Sequence, residues 1–252
     1  SPAVVDRVLE AKQDVIKRSG VLELTPHERT LAEVAGLDSL KAWLKKRRVA
    51  FTDPDAAGKF GLSAPRGLLL LGVPGCGKSL CAQAVAADFM LPLVRLDPAR
   101  LYNKYLGETE ANLRLAIRTS ESMAPVVLWI DEIEKAFTSA QHADAGAAQR
   151  VFGTFLQWMQ DKDEEIFVVA TSNDIQNLPA ELLRKGRFDE IFFVDLPTPQ
   201  VRRDIFRIHL EKRGRDATAF DLDALVVASE GFSGAEIEQV VVSALYTAYA
   251  DE

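Results

Sequence analysis

The sequence predicts an α/β protein, a parallel sheet covered by helices on both faces and followed by a small all-helical unit. Two observations carry this. Short apolar runs alternate with helix-length stretches from Gly67 to Val194, and uninterrupted apolar strands separated by helices bury both sheet faces. After Asp195 the strand-like runs stop, and Pro197 and Pro199 mark a boundary before three helical patterns. The 252 residues are 48% hydrophobic and 27% charged, which suits one large domain, alone or with a smaller satellite, and a sizeable core. No apolar run approaches the roughly 20 residues of a membrane-spanning helix, so no membrane span is expected.

Ser1–Ser19 reads as a helix with Ser1 as N-cap, Pro2 at the first helical position, a Val5, Leu9 and Ile16 stripe, and Gly20 as stop. Thr25–Ala35 reads as connector, and Asp38 or Ser39 is expected to cap a basic helix through about Ala50. Strands are expected at Gly67–Leu71, Leu93–Leu96, Val126–Ile130, Ile166–Thr171 and Ile191–Val194. Helices are expected between them at Lys78–Phe89, Glu108–Met123, Ala145–Asp161 and Pro179–Arg184. The trailing helices fall at Pro199–Lys212, Asp221–Ser229 and Gly234–Tyr249. Val201, Ile205 and Ile208 share a face of the first, and Ile237, Val241, Ala244 and Ala248 a face of the last. The expected division is an N-terminal helix and connector at 1–29, an α/β domain at 30–195, and a small helical unit at 196–252.

The first chemical signal lies between the first of these sheet strands and its helix. Gly72-Val-Pro-Gly-Cys-Gly-Lys78-Ser79 is a phosphate-binding loop pattern. Glycines let backbone N–H groups curl around phosphates while the helix N-terminus adds a favourable dipole. Pro74, Gly75, Cys76, Gly77, Lys78, Ser79 and Leu80 are the expected phosphate contacts. Lys78 can reach the β- and γ-phosphates, and the Ser79 hydroxyl can ligate Mg²⁺. A chance match is expected on the order of once per hundred chains of this length, and the strand before and helix after make accident rarer. The expected fold is thereby a P-loop NTPase sheet, with a nucleoside triphosphate and Mg²⁺ as expected ligands, ATP being the nucleotide that the family resemblance drawn below implies.

Val126-Val-Leu-Trp-Ile-Asp131-Glu132 ends a strand of the same sheet with two acids. Asp131 can hold Mg²⁺ through water, and Glu132 can polarise an attacking water. Alone, such a pair is usually a helix N-terminal charge pair; with the phosphate loop it points to hydrolysis. Asn173, after the next strand, offers an amide to orient that water or contact the γ-phosphate, the alternative being a loop cap. Arg184 and Arg187 precede the last strand with guanidinium forks suited to a γ-phosphate, often one in a neighbouring subunit. The alternative for these two is a surface turn with salt bridges.

Four motifs in this order resemble the AAA family of ring ATPases over roughly Leu31–Ala248, and Gly231-Phe-Ser-Gly234-Ala235-Glu resembles the lid signature of the AAA clade. The resemblance implies that Asp131 and Glu132 form the second nucleotide motif, Asn173 the first sensor, and Arg184 and Arg187 paired arginines acting in trans. It also implies that Ala35 and Gly36 lie around the adenine, with Ile205 and His209 on the lid beside adenine and ribose. Gly234 and Ala235 then face the nucleotide. The segment Lys104-Tyr105-Leu106 matches the family's aromatic pore loop, whose rings wedge against an extended polypeptide; a buried core tyrosine is the alternative. Gln141–Ala147 takes the place of a second pore loop. A homo-hexamer acting on a protein client is implied. A slow nucleotide-gated scaffold and a nucleic-acid ring motor are the rival readings.

A finer resemblance, to AAA proteins encoded in algal plastid genomes and found in cyanobacteria and other bacteria, rests on Lys12–Glu28 leading into Leu31–Leu37 and on Phe167–Asp174. Members of that group resemble proteins with a further N-terminal region, so a C-terminal piece is expected. Ala35 stands where the clade usually has Gly, and Cys76 where Thr is common. The 2 cysteines, Cys76 and Cys81, fit a reducing compartment, cytoplasmic or plastid stroma by the resemblance. In an N–H-rich loop the Cys76 thiol is expected to have a lowered pKa, although a small space-filling residue is the ordinary reading. Net charge −7 disfavours non-specific nucleic-acid binding. The run Lys45–Arg48, with Lys41, reads as a solvated helix face or subunit contact more readily than as a nucleic-acid patch.

Overall fold

The computed structural model describes residues 16, 19–26, 30–101, 108–138 and 145–251. Its sheet has six strands, β1 (Leu22–Thr25), β2 (Gly67–Gly72), β3 (Leu93–Leu96), β4 (Val126–Ile130), β5 (Ile166–Ser172) and β6 (Glu190–Val194), in the order β1-β3-β4-β5-β2-β6. All neighbours are parallel except β1, which pairs antiparallel with β3. The α/β, P-loop-type sheet is therefore as expected, with one strand more.

Period-two alternation explains why continuous apolar runs work here. Leu69 and Leu71 enter one core with Val126, Leu128, Val168 and Ala170. Leu68 and Leu70 enter the other with Val127, Trp129, Phe167 and Val169. Each central strand thus feeds two cores, and both faces need helices. Helices α1 (Asp38–Thr52), α2 (Pro54–Lys59) and α3 (Lys78–Phe89) come first; the second core takes α1 through Leu40, Leu44 and Phe51 and α3 through Cys81, Ala82, Val85, Ala86 and Phe89. The opposite face carries α4 (Glu108–Ser122) and α6 (Ala145–Asp161), with short α5 (Lys135–Thr138) between them in sequence. Phe89 and Phe167 meet with ring centroids 4.9 Å apart, tying α3 to β5.

Three differences from the sequence reading have simple causes. Strand β1 falls between the expected helix and connector; its four residues are too few for alternation to declare itself, and the β3 edge defines it. Helix α1 begins at Asp38 with Leu37 as N-cap in the left-handed region, φ 56°, so neither Asp38 nor Ser39 caps it. Pro179–Arg184 is a single 3-10 turn, Ala180–Leu183, too short for an α-helix. The Ser1–Ser19 helix lies largely outside the described residues. On α1, Lys45, Lys46 and Arg47 are exposed, Arg47 stacks over Trp43 at 5.1 Å, and Arg48 pairs with Asp88 at 3.4 Å, as a solvated helix face should.

The chain after Asp195 forms α7 (Pro199–Glu211), α8 (Leu222–Ala228) and α9 (Gly234–Ala250) around a third core of Phe206, Leu210, Ala217, Ile237 and Val241. Buried Arg202 donates to the carbonyls of Pro197 at 3.1 Å and Val226 at 3.0 Å, fastening α7 to its neighbours. The expected stripe on α9 is only half used. Ile237 and Val241 are buried, but Ala244 and Ala248 are exposed and Leu245 packs instead.

Candidate nucleotide site

The motif residues meet because they follow the carboxyl ends of adjacent parallel strands, where an open α/β sheet leaves a crevice. β2 delivers the glycine loop, β4 delivers Asp131 and Glu132, and β5, between them, delivers Thr171 and Asn173. In the loop, Gly75 (φ 75°) and Gly77 (φ 90°) adopt left-handed backbone that a side chain resists. A cleft of about 550 Å³ opens there, of nucleotide size.

Every expected phosphate contact from Pro74 to Leu80 lines this cleft, with Asp131, Glu132 and Asn173. Ala35, Ile205, His209, Gly234 and Ala235 line it too, whereas Gly36 does not, standing behind Ala35 against Val201. Arg184 and Arg187 do not line it: Arg184 is exposed and Arg187 donates to the Gln160 side chain. Lys104, Tyr105 and Leu106 lie outside the described residues, as do residues 141–144 of the expected second loop; 145–147 open α6.

Lys78 is buried and its Nζ donates to the carbonyls of Gly72 at 2.8 Å and Val73 at 2.7 Å. Burial pushes its pKa down, and nearby Asp131, Glu132 and Glu134 are among the groups that partly offset this. Thr171, not assigned a role by the sequence, is the hub of the acids. Its hydroxyl donates to Asp131 Oδ1 at 2.8 Å and accepts the Glu132 N–H at 3.1 Å. Ser79 Oγ donates to the same Asp131 oxygen at 3.4 Å. Glu132 has φ 52°, and its carboxylate receives Asn173 Nδ2 at 2.9 Å and the Lys135 ammonium. A non-glycine residue held in this region stores strain that such hydrogen bonds must offset.

The donor set fits a phosphate chain with a hard cation: a ring of loop N–H groups, one ammonium, and the oxygens of Ser79 and Asp131 side by side. Among the described residues, no group of three His, Cys, Asp or Glu side chains forms an all-protein metal cage. Mg²⁺ commonly binds through one or two protein oxygens plus substrate phosphates, which matches this sparse set.

The expected acidity of Cys76 is overturned. Burial pushes the thiol above its ordinary value, the Lys78 charge only partly offsetting it, and Cys81, fully buried, is pushed up to about 12. Sequence reasoning also missed Glu33, Val34, Gln83, Ile208 and Glu238 in the lining, contributed by helix faces and a turn that carry no motif.

The lid docks on the loop itself. The Ala235 N–H donates to the Gly75 carbonyl at 3.0 Å, and a Cβ on Gly75 would stand 3.0 Å from Ser233 Oγ and 3.1 Å from the Ala235 Cβ. Small residues on both sides are what allow this approach.

This is the site of a P-loop nucleotide-binding protein with a lid. The model of the "ATPase family associated with various cellular activities (AAA)" matches residues 68–196, and that of the "AAA+ lid domain" matches 219–252. The chain belongs to the AAA ATPase family. It is 47% identical over 247 residues to the "Uncharacterized AAA domain-containing protein ycf46" of Pyropia yezoensis, covering 97% of this chain and 50% of the relative. The protein of the same name from Trieres chinensis is 44% identical over 244 residues, 96% of this chain and 49% of the relative. The "Proteasome-activating nucleotidase" of Aeropyrum pernix is 32% identical over 251 residues, 97% of this chain and 61% of that protein. The resemblance to AAA proteins of algal plastid genomes is thus borne out, and the chain spans about half the length of the two ycf46 relatives it matches. No helix among the described residues is long and apolar enough to cross a membrane.

Proposed function

We propose that this chain is the Mg²⁺-dependent, ATP-hydrolysing part of an AAA ring motor that acts on protein partners. The observation that carries the reading is the hydrogen-bonded set Ser79–Asp131–Thr171 with Glu132–Asn173, at the mouth of the glycine loop. Residues 30–195 bind the nucleotide and 196–252 close over it. Loop N–H groups and Lys78 hold the phosphates, Lys78 exchanging its two carbonyl partners for phosphate oxygens. Ser79 and Asp131 hold the cation, which when bound offsets charge on the phosphates. Glu132 takes the proton of the attacking water, and Asn173, already on Glu132, fixes the direction of that carboxylate.

Arg184 and Arg187 stand away from their own cleft, which suits use on a neighbour's γ-phosphate in a homo-hexamer. Tyr105, flanked by Lys104 and Leu106, is the residue we assign to the client-gripping loop. A relative named as a proteasome-activating nucleotidase supports a protein rather than nucleic-acid client.

The test is ATP turnover against protein concentration for the chain and for Glu132→Gln, with mass determined on the same samples. Turnover should rise steeply with concentration alongside a six-fold mass and fall by about 10²–10⁴ in the variant, with ATP binding retained. Tight ATP binding with negligible turnover by a monomer at every concentration would instead favour a nucleotide-gated scaffold.

A further inference from the structure

Asp131, the acid assigned above to Mg²⁺, already has a cation. Arg95 Nη2 donates to Asp131 Oδ2 at 2.9 Å, with the arginine side chain 33% and the aspartate 16% exposed. Arg95 is held in place by the sheet. It lies on β3 in register with Trp129 on β4, and its guanidinium sits over that indole, 5.0 Å from the ring centroid. Its Nε is buried without a hydrogen-bond partner among the described residues, so the stacked plane meets Trp129 and one edge is left for the acid. The other aspartate oxygen, Oδ1, takes Thr171 at 2.8 Å and Ser79 at 3.4 Å. The carboxylate is therefore divided, one oxygen on a fixed cation and the other toward the glycine loop.

We propose that Arg95 is a built-in counter-cation that opposes Mg²⁺ at Asp131 and so sets the divalent-ion affinity of the nucleotide site. This rests on the assignment of Ser79 and Asp131 to Mg²⁺. A dication beside Oδ1 feels the attraction of the carboxylate and the repulsion of the guanidinium behind it. Because the pair is only partly exposed, solvent does not erase that repulsion. Deleting the positive charge leaves Asp131 uncompensated and strengthens Mg²⁺ binding. A purely structural tie between β3 and β4 would change stability but leave the Mg²⁺ dependence where it was.

The readout is binding of a fluorescent N-methylanthraniloyl ADP to the chain as a function of Mg²⁺, from an EDTA baseline, so neither turnover nor ring assembly is needed. Arg95→Met keeps an apolar stem on Trp129 and removes the charge; Arg95→Lys keeps the charge without the fork. In Arg95→Met the half-saturating Mg²⁺ concentration should fall roughly three- to tenfold, as expected for one unit charge a few ångströms from a dication. Its affinity in EDTA should be at or below the parent value, because the lost charge no longer attracts the anionic nucleotide, and Arg95→Lys should stay close to the parent throughout. If thermal melts show that Arg95→Met is unfolded, Arg95→Gln is read by the same criteria. An unchanged or raised Mg²⁺ requirement in the neutral variant overturns the proposal while leaving the nucleotide site intact. Parent binding that is indifferent to Mg²⁺ and to Ser79→Ala overturns it together with the assignment beneath it.

Discussion

Lys162 shows how a residue with no place in any motif can tune stability. Its Nζ donates to the Ile166 carbonyl at 2.5 Å, and burial pushes its pKa from 10.5 down to about 8, Asp189 and Glu164 opposing and Arg66 assisting. A depressed lysine disfavours the folded state while both states are protonated. Below about pH 8 that penalty is fully present. From about pH 8 to the free-lysine value of 10.5 the folded protein releases the proton first, and stability rises with pH. The shift corresponds to about 2–4 kcal/mol. Lys162→Met should remove this slope. In urea unfolding, the parent should gain about 2 kcal/mol relative to the variant between about pH 7 and about pH 10. Equal pH profiles would show the ammonium to be effectively solvated. At this scale the sequence was most legible where chemistry demands a residue type at a fixed spacing. The glycine loop, Asp131, Glu132 and Asn173 reach one cleft as their motif implied. Thr171 and Arg95 were not legible, because their roles depend on which strands become neighbours, and that order is not written in local spacing.

Among the elements, α9 makes the lid's contact with the loop, so the way it starts matters. Ser233 and Glu236 form a reciprocal capping box: the Ser233 N–H and hydroxyl donate to Glu236 Oε2 at 2.7 and 2.8 Å, and the Glu236 N–H donates to Ser233 Oγ at 3.4 Å. The cap holds Gly234 and Ala235 where Ala235 can reach the Gly75 carbonyl. Ser233→Ala should cost about 1 kcal/mol of stability, and should also weaken ATP binding, because the frayed turn is the one that touches the loop. Thermal melting with and without nucleotide separates the two effects, and a variant that loses stability but not affinity would show that the cap serves the helix alone. The three lid helices were readable because each carries a start signal, Pro199, Asp221 and Ser233, beside an apolar stripe. Strand β1 carries no such signal. Its Leu22 is buried against the sheet, but what makes it a strand is the unpaired edge of β3, a tertiary cause.

For the whole molecule, the sheet domain touches the lid through, among other contacts, the Gly75–Ala235 hydrogen bond and the packing of Gly36 on Val201. Gly36 has φ 67°, and a Cβ there would stand 2.9 Å from Val201 Cγ2 and 3.2 Å from Cγ1. Ala35, next to it, lines the cleft. A side chain at position 36 therefore does two separable things. It forces an L-residue into left-handed backbone, costing about 1–2 kcal/mol, and it drives α7 away from the segment that closes the cleft. Gly36→Ala should weaken nucleotide binding by roughly five- to thirtyfold, the equivalent of about 1–2 kcal/mol. Val201→Ala alone should change little, since it opens space at a partly exposed position. In the double variant the steric share is relieved and the backbone share remains, so part of the lost affinity should return. Additive losses would mean that the lid does not sense residue 36 through Val201. Partial recovery would show that lid position and nucleotide affinity are coupled through this contact, as a motor that converts nucleotide state into lid movement requires.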